Sequence, residues 1–212
     1  DAAEIMLGFI SEVKNETGYM AKLLNLGGGL GVRYVESDPV IDYREKIGEI
    51  AAALNKMAEK LNIKLPEILM EPGRSLVADA GMTLYTVGSV KEIEGYKNYV
   101  SVDGGMTDNP RFALYESPYT VILASKADKE CDFKASVVGR CCESGDIIQE
   151  NVPLPKPCRG DVIAVLTTGA YNYTMASHYN RIPKPPVVML KDGQDYVAVK
   201  RETVEDLCKL DV

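Results

Sequence analysis

One histidine, His178, serves the entire chain of 212 residues, and none of the five cysteines forms a Cys-x-x-Cys pair. A zinc site or a disulfide framework therefore lacks the residues it would need, and thiols in this pattern point to a reducing cytoplasm. No apolar run approaches the roughly 20 residues that cross a bilayer, so a membrane role is not expected. There is no dense run of Lys or Arg, and the formal net charge is -7. A nucleic-acid surface, which draws on clustered basic contacts, is likewise not expected. The first residues, Asp1-Ala2-Ala3-Glu4, hold neither an initiator Met nor the basic and apolar regions of a signal peptide. The chain is thus expected to begin inside a longer protein. Internal repeats are also absent. What remains is the composition of a soluble globular protein, 46% hydrophobic and 26% charged. Its length suffices for one large domain or two modest ones, with small-molecule chemistry as the leading expectation.

Along the chain, Ile5, Met6, Phe9, Ile10 and Val13 recur at helical spacing, predicting an amphipathic helix over residues 2–17 that closes near Gly18. Lys22 to Leu26 reads as a short buried strand that runs into Gly27-Gly28-Gly29-Leu30-Gly31. Asp38 before Pro39 predicts the start of a second helix, whose apolar face is Ile47, Ile50, Ala51, Leu54, Ala58 and Leu61. Glu67 to Met70 is another short strand, ending at Glu71-Pro72-Gly73-Arg74. Helix, strand, helix, strand is the rhythm of a β/α architecture with a parallel sheet.

From about residue 82 the pattern changes to short strands divided by Gly, Pro and Asp. Met82 to Val90, Tyr99 to Val102, Tyr119 to Leu123, Phe133 to Val138 and Asp161 to Leu166 are the candidates, and together they predict a sandwich or small barrel. Asp192-Gly193 between two apolar runs is a hairpin signal, and Val204 to Leu210 reads as a closing helix. The expected division is therefore residues 1–81 and 82–212.

Three stretches carry chemistry. Gly139-Arg140-Cys141-Cys142-Glu143-Ser144-Gly145-Asp146 places thiols beside two carboxylates, and a thiol can deliver a proton to a carbanion. The plainer alternative is that Cys142 is a small buried hydrophobe and Glu-Ser-Gly-Asp a turn. The triple glycine frees backbone N–H groups for a phosphate, or serves an ordinary turn. Glu71 and Arg74 flank a Pro-Gly turn, either as functional charges or as a surface ion pair. Both of these loops follow strands, which is where β/α folds place their function.

In order, Gly27-Gly28-Gly29-Leu30-Gly31, Glu71-Pro72-Gly73-Arg74, Asp108-Asn109-Pro110-Arg111 with Tyr115, Cys142-Glu143-Ser144-Gly145-Asp146 and Gly169-Ala170-Tyr171 resemble the diaminopimelate decarboxylase family. These enzymes belong to the pyridoxal-phosphate decarboxylases built like alanine racemase. The resemblance implies an α/β plus all-β fold: the C-terminal part of a (β/α)8 barrel that binds pyridoxal 5'-phosphate, followed by a Greek-key-like β domain. It implies decarboxylation of meso-2,6-diaminopimelate to L-lysine and carbon dioxide, the last step of lysine biosynthesis, by a cytoplasmic homodimer whose sites are shared across the interface.

Residue by residue, the resemblance assigns cofactor contacts to Gly28, Gly29, Glu71, Gly73, Arg74 and Tyr171. Glu71 would face the pyridine nitrogen. Substrate contacts fall to Arg74, Arg111, Tyr115, Glu143 and Tyr171, with Arg111 suited to a distal carboxylate through its bidentate fork. Cys142 would protonate the carbanion. Cys141 lies one residue early and is expected to be packing. The family's Schiff-base lysine and cofactor-stacking histidine have no counterpart here, and His178 is read as an ordinary polar residue. The chain is accordingly expected to be a C-terminal portion that is inactive alone. Ornithine, arginine or carboxynorspermidine decarboxylases, a racemase, and a non-catalytic regulatory homologue are the alternatives. Arg111 argues against the diamine formers, and Cys142 with Glu143 against the regulatory homologue.

Overall fold

The computed structural model describes residues 1–212, which divide into two compact units. Asp1–Arg33 with Ser37–Val77 form the first, and Tyr34–Glu36 with Ala78–Val212 the second.

In the first unit, helix α1 (Ala2–Thr17) ends at Gly18, whose φ of 74° lets its N–H turn back to the Lys14 carbonyl. Strand β1 (Leu23–Asn25) pairs in parallel with β2 (Glu67–Leu69), with helix α2 (Tyr43–Leu61) between them in sequence. A parallel pair needs such a crossover. Leu7 and Ile10 of α1, Leu24 of β1, Leu54 and Ala58 of α2, and Ile63 form the core. The expectation that Asp38 caps α2 is corrected: the cap is Asp42, whose Oδ1 accepts from the N–H groups of Arg44 at 2.9 Å and Glu45 at 3.1 Å. Both aspartates satisfy the capping preference, but only residues from Tyr43 onward are helical, so the orphan N–H groups lie beside Asp42. A short helix, α3 (Arg74–Val77), follows β2.

The second unit is built on one mixed sheet. Its strands are β3 (Met82–Ile93), β4 (Lys97–Val102), β5 (Val121–Leu123), β6 (Phe133–Val138), β7 (Ile147–Leu154) and β8 (Val162–Leu166), ordered β5-β8-β3-β4-β6-β7. Only β4 and β6 run parallel. The long β3 spans both halves: Met82–Thr86 pair with β8, while Val87–Ile93 pair with β4, with a register shift between Val87 and Ser89. A glycine weakens a strand but permits the bend that such a bulge requires. Val87, Val100, Val137, Ile148, Leu154, Ile163 and Val165 are its fully buried interior.

Strand β7 was not expected, because Gln149-Glu150-Asn151 and Pro153 break the apolar pattern. Ile148, Val152 and Leu154 nonetheless face inward, and β7 lies last in the sheet order, where a proline is tolerated. Short helices α4 (Arg111–Tyr115) and α5 (Asn172–Met175) lie in loops. Strands β9 (Val187–Lys191) and β10 (Gln194–Val199) form the expected hairpin, with Asp192 and Gly193 both at positive φ. Helix α6 (Val204–Cys208) opens with a capping box between Thr203 and Asp206.

Candidate active site

In the first unit, the ends of β1 and β2 are laced together by one polar side chain. Asn25 donates from Nδ2 to Glu71 Oε1 at 2.5 Å, and its Oδ1 accepts from the Gly27 N–H at 2.8 Å. The Glu71 N–H closes the ring by donating to the Gly27 carbonyl at 2.8 Å. A Cβ on Gly28 would come within 2.7 Å of the Glu71 carbonyl oxygen, so the two loops touch backbone to backbone. Gly29, at φ 78°, has nothing within 4 Å of where a Cβ would be. A side chain at Gly29 would therefore project into open space, while Gly28 is closed against the Glu71 loop. Gly73 opens α3, where its carbonyl accepts from the Leu76 N–H at 3.0 Å, and Arg74 is the first residue of that helix. Gly28, Gly29, Glu71 and Gly73 thus occupy the loops that follow the two strands, and Arg74 begins the helix after the second. The orienting role of Asn25 was missed in sequence, although its place as the last residue of a strand before glycines was visible.

In the second unit, Arg111 opens α4 and is only 7% exposed. Three aromatic rings surround its guanidinium: Tyr34 at 5.9 Å, Tyr115 at 5.5 Å and Tyr171 at 5.5 Å from ring centroid to Cζ. Tyr34 stands edge-on to Tyr119 at 5.2 Å, and the Tyr119 hydroxyl donates to Asn172 Oδ1 at 3.3 Å. Arg111 Nη2 donates to Ser117 Oγ at 3.2 Å, while its buried Nε meets no acceptor of the protein. A guanidinium held among π faces is stabilised by cation–π contact and keeps N–H groups that a carboxylate could accept from. Tyr171 sits at φ 70°, an uncommon conformation for a non-glycine residue. Tyr34 and Tyr119 were not singled out in the sequence. They lie far apart in the chain, so nothing local linked either to Arg111.

Elsewhere in the same unit, Cys142 is exposed, which removes the alternative that it is a buried hydrophobe. Its N–H donates to Asn180 Oδ1 at 2.9 Å. Glu143 is also exposed, and its Oε1 accepts from the Gly145 N–H at 3.1 Å and Ser144 Oγ at 3.3 Å. Cys141 differs: burial first, then the Asp146 carboxylate, pushes its thiol up to about 11. A thiol held protonated is a poor nucleophile. His178 pairs with Glu202 at 2.6 Å on the surface. All five cysteines are free, no cluster of His, Cys, Asp and Glu is placed to hold a metal, and no helix is long and apolar enough to cross a membrane.

Comparison with known proteins gives this geometry a family. The model of the pyridoxal-dependent decarboxylase C-terminal sheet domain matches residues 19–169. The diaminopimelate decarboxylase of Bacillus subtilis (strain 168) is 47% identical over 211 residues, covering 100% of this chain and 48% of that protein. Among solved structures, diaminopimelate decarboxylase from M. jannaschii in complex with L-lysine superposes with a TM-score of 0.88 at 33% identity, over 100% of this chain and 47% of that one. The Helicobacter pylori enzyme complexed with L-lysine gives 0.82 at 32% identity, over 98% and 49%. The chain spans about half the length of the relatives it matches. It belongs to the pyridoxal-dependent decarboxylases and carries their C-terminal sheet domain.

Proposed function

We propose that this chain supplies the carboxyl-terminal part of a diaminopimelate decarboxylase, which converts meso-2,6-diaminopimelate to L-lysine and carbon dioxide. Residues 1–81 are read as barrel and 82–212 as the β domain. The observation that carries the proposal is Arg111, a buried guanidinium ringed by three tyrosines with its Nε lacking a protein acceptor. A substrate whose far end bears a carboxylate needs such a group, whereas a diamine-forming enzyme has no use for it.

The cradle around Gly28 and Gly29, with the backbone at Gly73, fits a phosphate, and Glu71, aimed by Asn25, fits a protonated pyridine nitrogen. Pyridoxal 5'-phosphate, when bound, supplies the electron sink for the bond that breaks as carbon dioxide leaves. The chain's own residues do the rest. Arg111, Tyr115 and Tyr171, with Arg74, bind and orient the substrate, and Glu143 takes its distal ammonium through a charge-assisted hydrogen bond. Cys142 Sγ delivers its proton to the carbon that has lost its carboxylate, and the thiolate left behind takes a proton from solvent. Cys142 and Glu143 are further read as serving the site of a second subunit in a cytoplasmic homodimer.

The test uses the intact decarboxylase that carries this sequence. Cys142→Ala is expected to slow turnover by about 10²–10⁴-fold with cofactor absorbance retained. Cys141→Ala is expected to change little, because its backbone N–H remains. Equal losses for both, with the cofactor shed, would assign the pair to packing.

A further inference from the structure

The last carboxylate of the Cys142 stretch has no part in the chemistry described so far. Asp146, just before β7, is 4% exposed, and a buried carboxylate persists only where donors replace its water. It has two, both backbone. Oδ1 accepts from the Met106 N–H at 2.6 Å, and Oδ2 from the Cys141 N–H at 2.7 Å. Met106 lies in the turn after β4, and Cys141 immediately precedes Cys142. Main-chain bonds reinforce the junction: Gly139 N–H to the Asp146 carbonyl at 2.9 Å, Arg140 N–H to the Gly104 carbonyl at 3.2 Å, and Asp146 N–H to the Glu143 carbonyl at 3.1 Å.

Two glycines close around the carboxylate. A Cβ on Gly139 would lie 2.2 Å from Oδ2, and one on Gly105 2.4 Å from Oδ1. Neither position can carry a side chain while the carboxylate stays where it is. The turn that supplies Met106 also continues into Arg111 at the head of α4, and its Thr107 carbonyl accepts from the Ser177 N–H at 2.8 Å. One side chain thus contacts both turns, with each of its oxygens accepting from a different one.

We propose that Asp146 is a positioning residue: by accepting the Met106 and Cys141 amides together, it fixes the turn that presents Cys142 and ties it to the turn that leads to Arg111. The inference rests on Cys142 being the proton donor. It follows that Gly105 and Gly139 are glycines because of Asp146, and not for turn formation alone.

Asp146→Asn tests this in the intact holoenzyme. The amide has nearly the same shape but one acceptor oxygen, so its NH₂ opposes either the Met106 or the Cys141 N–H. Hydrogen exchange should accelerate together in peptides containing Met106 and Cys141. Turnover should fall by about 10²-fold, as for a reacting group displaced by about 1 Å, while KM stays within about threefold because Arg111 keeps its own contacts with Ser117 and the tyrosines. A second route remains if that variant folds poorly. Gly139→Ala should damage turnover strongly when Asp146 is present and much less in an Asp146→Ala background, where the methyl has room. Wild-type turnover in Asp146→Asn, or additive losses in the Gly139 and Asp146 pair, would overturn the proposal. Those results beside an inactive Cys142→Ala would reject positioning alone, whereas an active Cys142→Ala would remove the reading beneath it.

Discussion

Replacing Gly28 by alanine tests whether the glycine cradle is held by contact and not by conformation. The added methyl would meet the Glu71 carbonyl oxygen at 2.7 Å and the Pro72 Cα at 3.3 Å, both backbone atoms that no side-chain rotation can move. Ordinary carbon contacts begin several tenths of an ångström farther out, so the loops after β1 and β2 must part. Three hydrogen bonds resist that: Leu26 N–H to the Leu69 carbonyl, Glu71 N–H to the Gly27 carbonyl, and Asn25 to Glu71. Forcing a methyl into such a junction costs about 1–3 kcal/mol, and the cofactor cradle moves with it. Gly29→Ala meets no protein atom, so its cost in protein stability is the left-handed backbone penalty of about 1–2 kcal/mol. The assay is fluorescence-detected binding of pyridoxal 5'-phosphate to the intact enzyme, with urea unfolding alongside. Both variants should lose stability, and Gly28→Ala should weaken cofactor binding by about tenfold or more through the displaced Glu71 loop. Undiminished binding in Gly28→Ala would refute the claim that the Glu71 contact shapes the cradle.

Asp42→Ala removes the acceptor of two N–H groups at the head of α2 and should destabilise the first unit by about 1 kcal/mol, measured by hydrogen exchange in the first turn. The Cys141 thiol, raised by burial and by Asp146 from an ordinary 9.0 to about 11, should escape iodoacetamide at a pH near 9 while Cys142 is labelled, read by mass spectrometry. Because the folded value lies above the unfolded one, the stability linked to Cys141 is complete below about pH 9 and is lost as pH rises through about 11. Equal labelling of the two thiols would contradict this.

The helices and most strands were legible because their signals are local. Helical spacing in residues 2–17, the Gly18 stop and the Asp192-Gly193 turn each depend on neighbours in sequence. The start of α2 was misplaced because Asp38-Pro39 and Asp42 offer equivalent caps, and the choice depends on where helical backbone begins. Strand β7 escaped because Gln149, Glu150 and Asn151 interrupt its alternation, and its inward residues are fixed only by pairing with β6. The site was legible as a set of stretches, but not in what supports them. Tyr34 and Arg111 are brought together by the fold alone, and nothing near Asp146 in the chain signals that it would cap amides on two separate turns.

Steady-state kinetics of the intact enzyme with meso-2,6-diaminopimelate, before and after Arg111→Lys, test the central claim most directly. Lysine cannot reproduce the planar fork that Arg111 presents between its tyrosines. The wild-type protein should release L-lysine and carbon dioxide, and Arg111→Lys should raise KM by about 10-fold to 10²-fold, the loss of one charged hydrogen bond worth roughly 1.5–3 kcal/mol. An unchanged KM, or turnover of ornithine or arginine in preference to meso-2,6-diaminopimelate, would contradict the account.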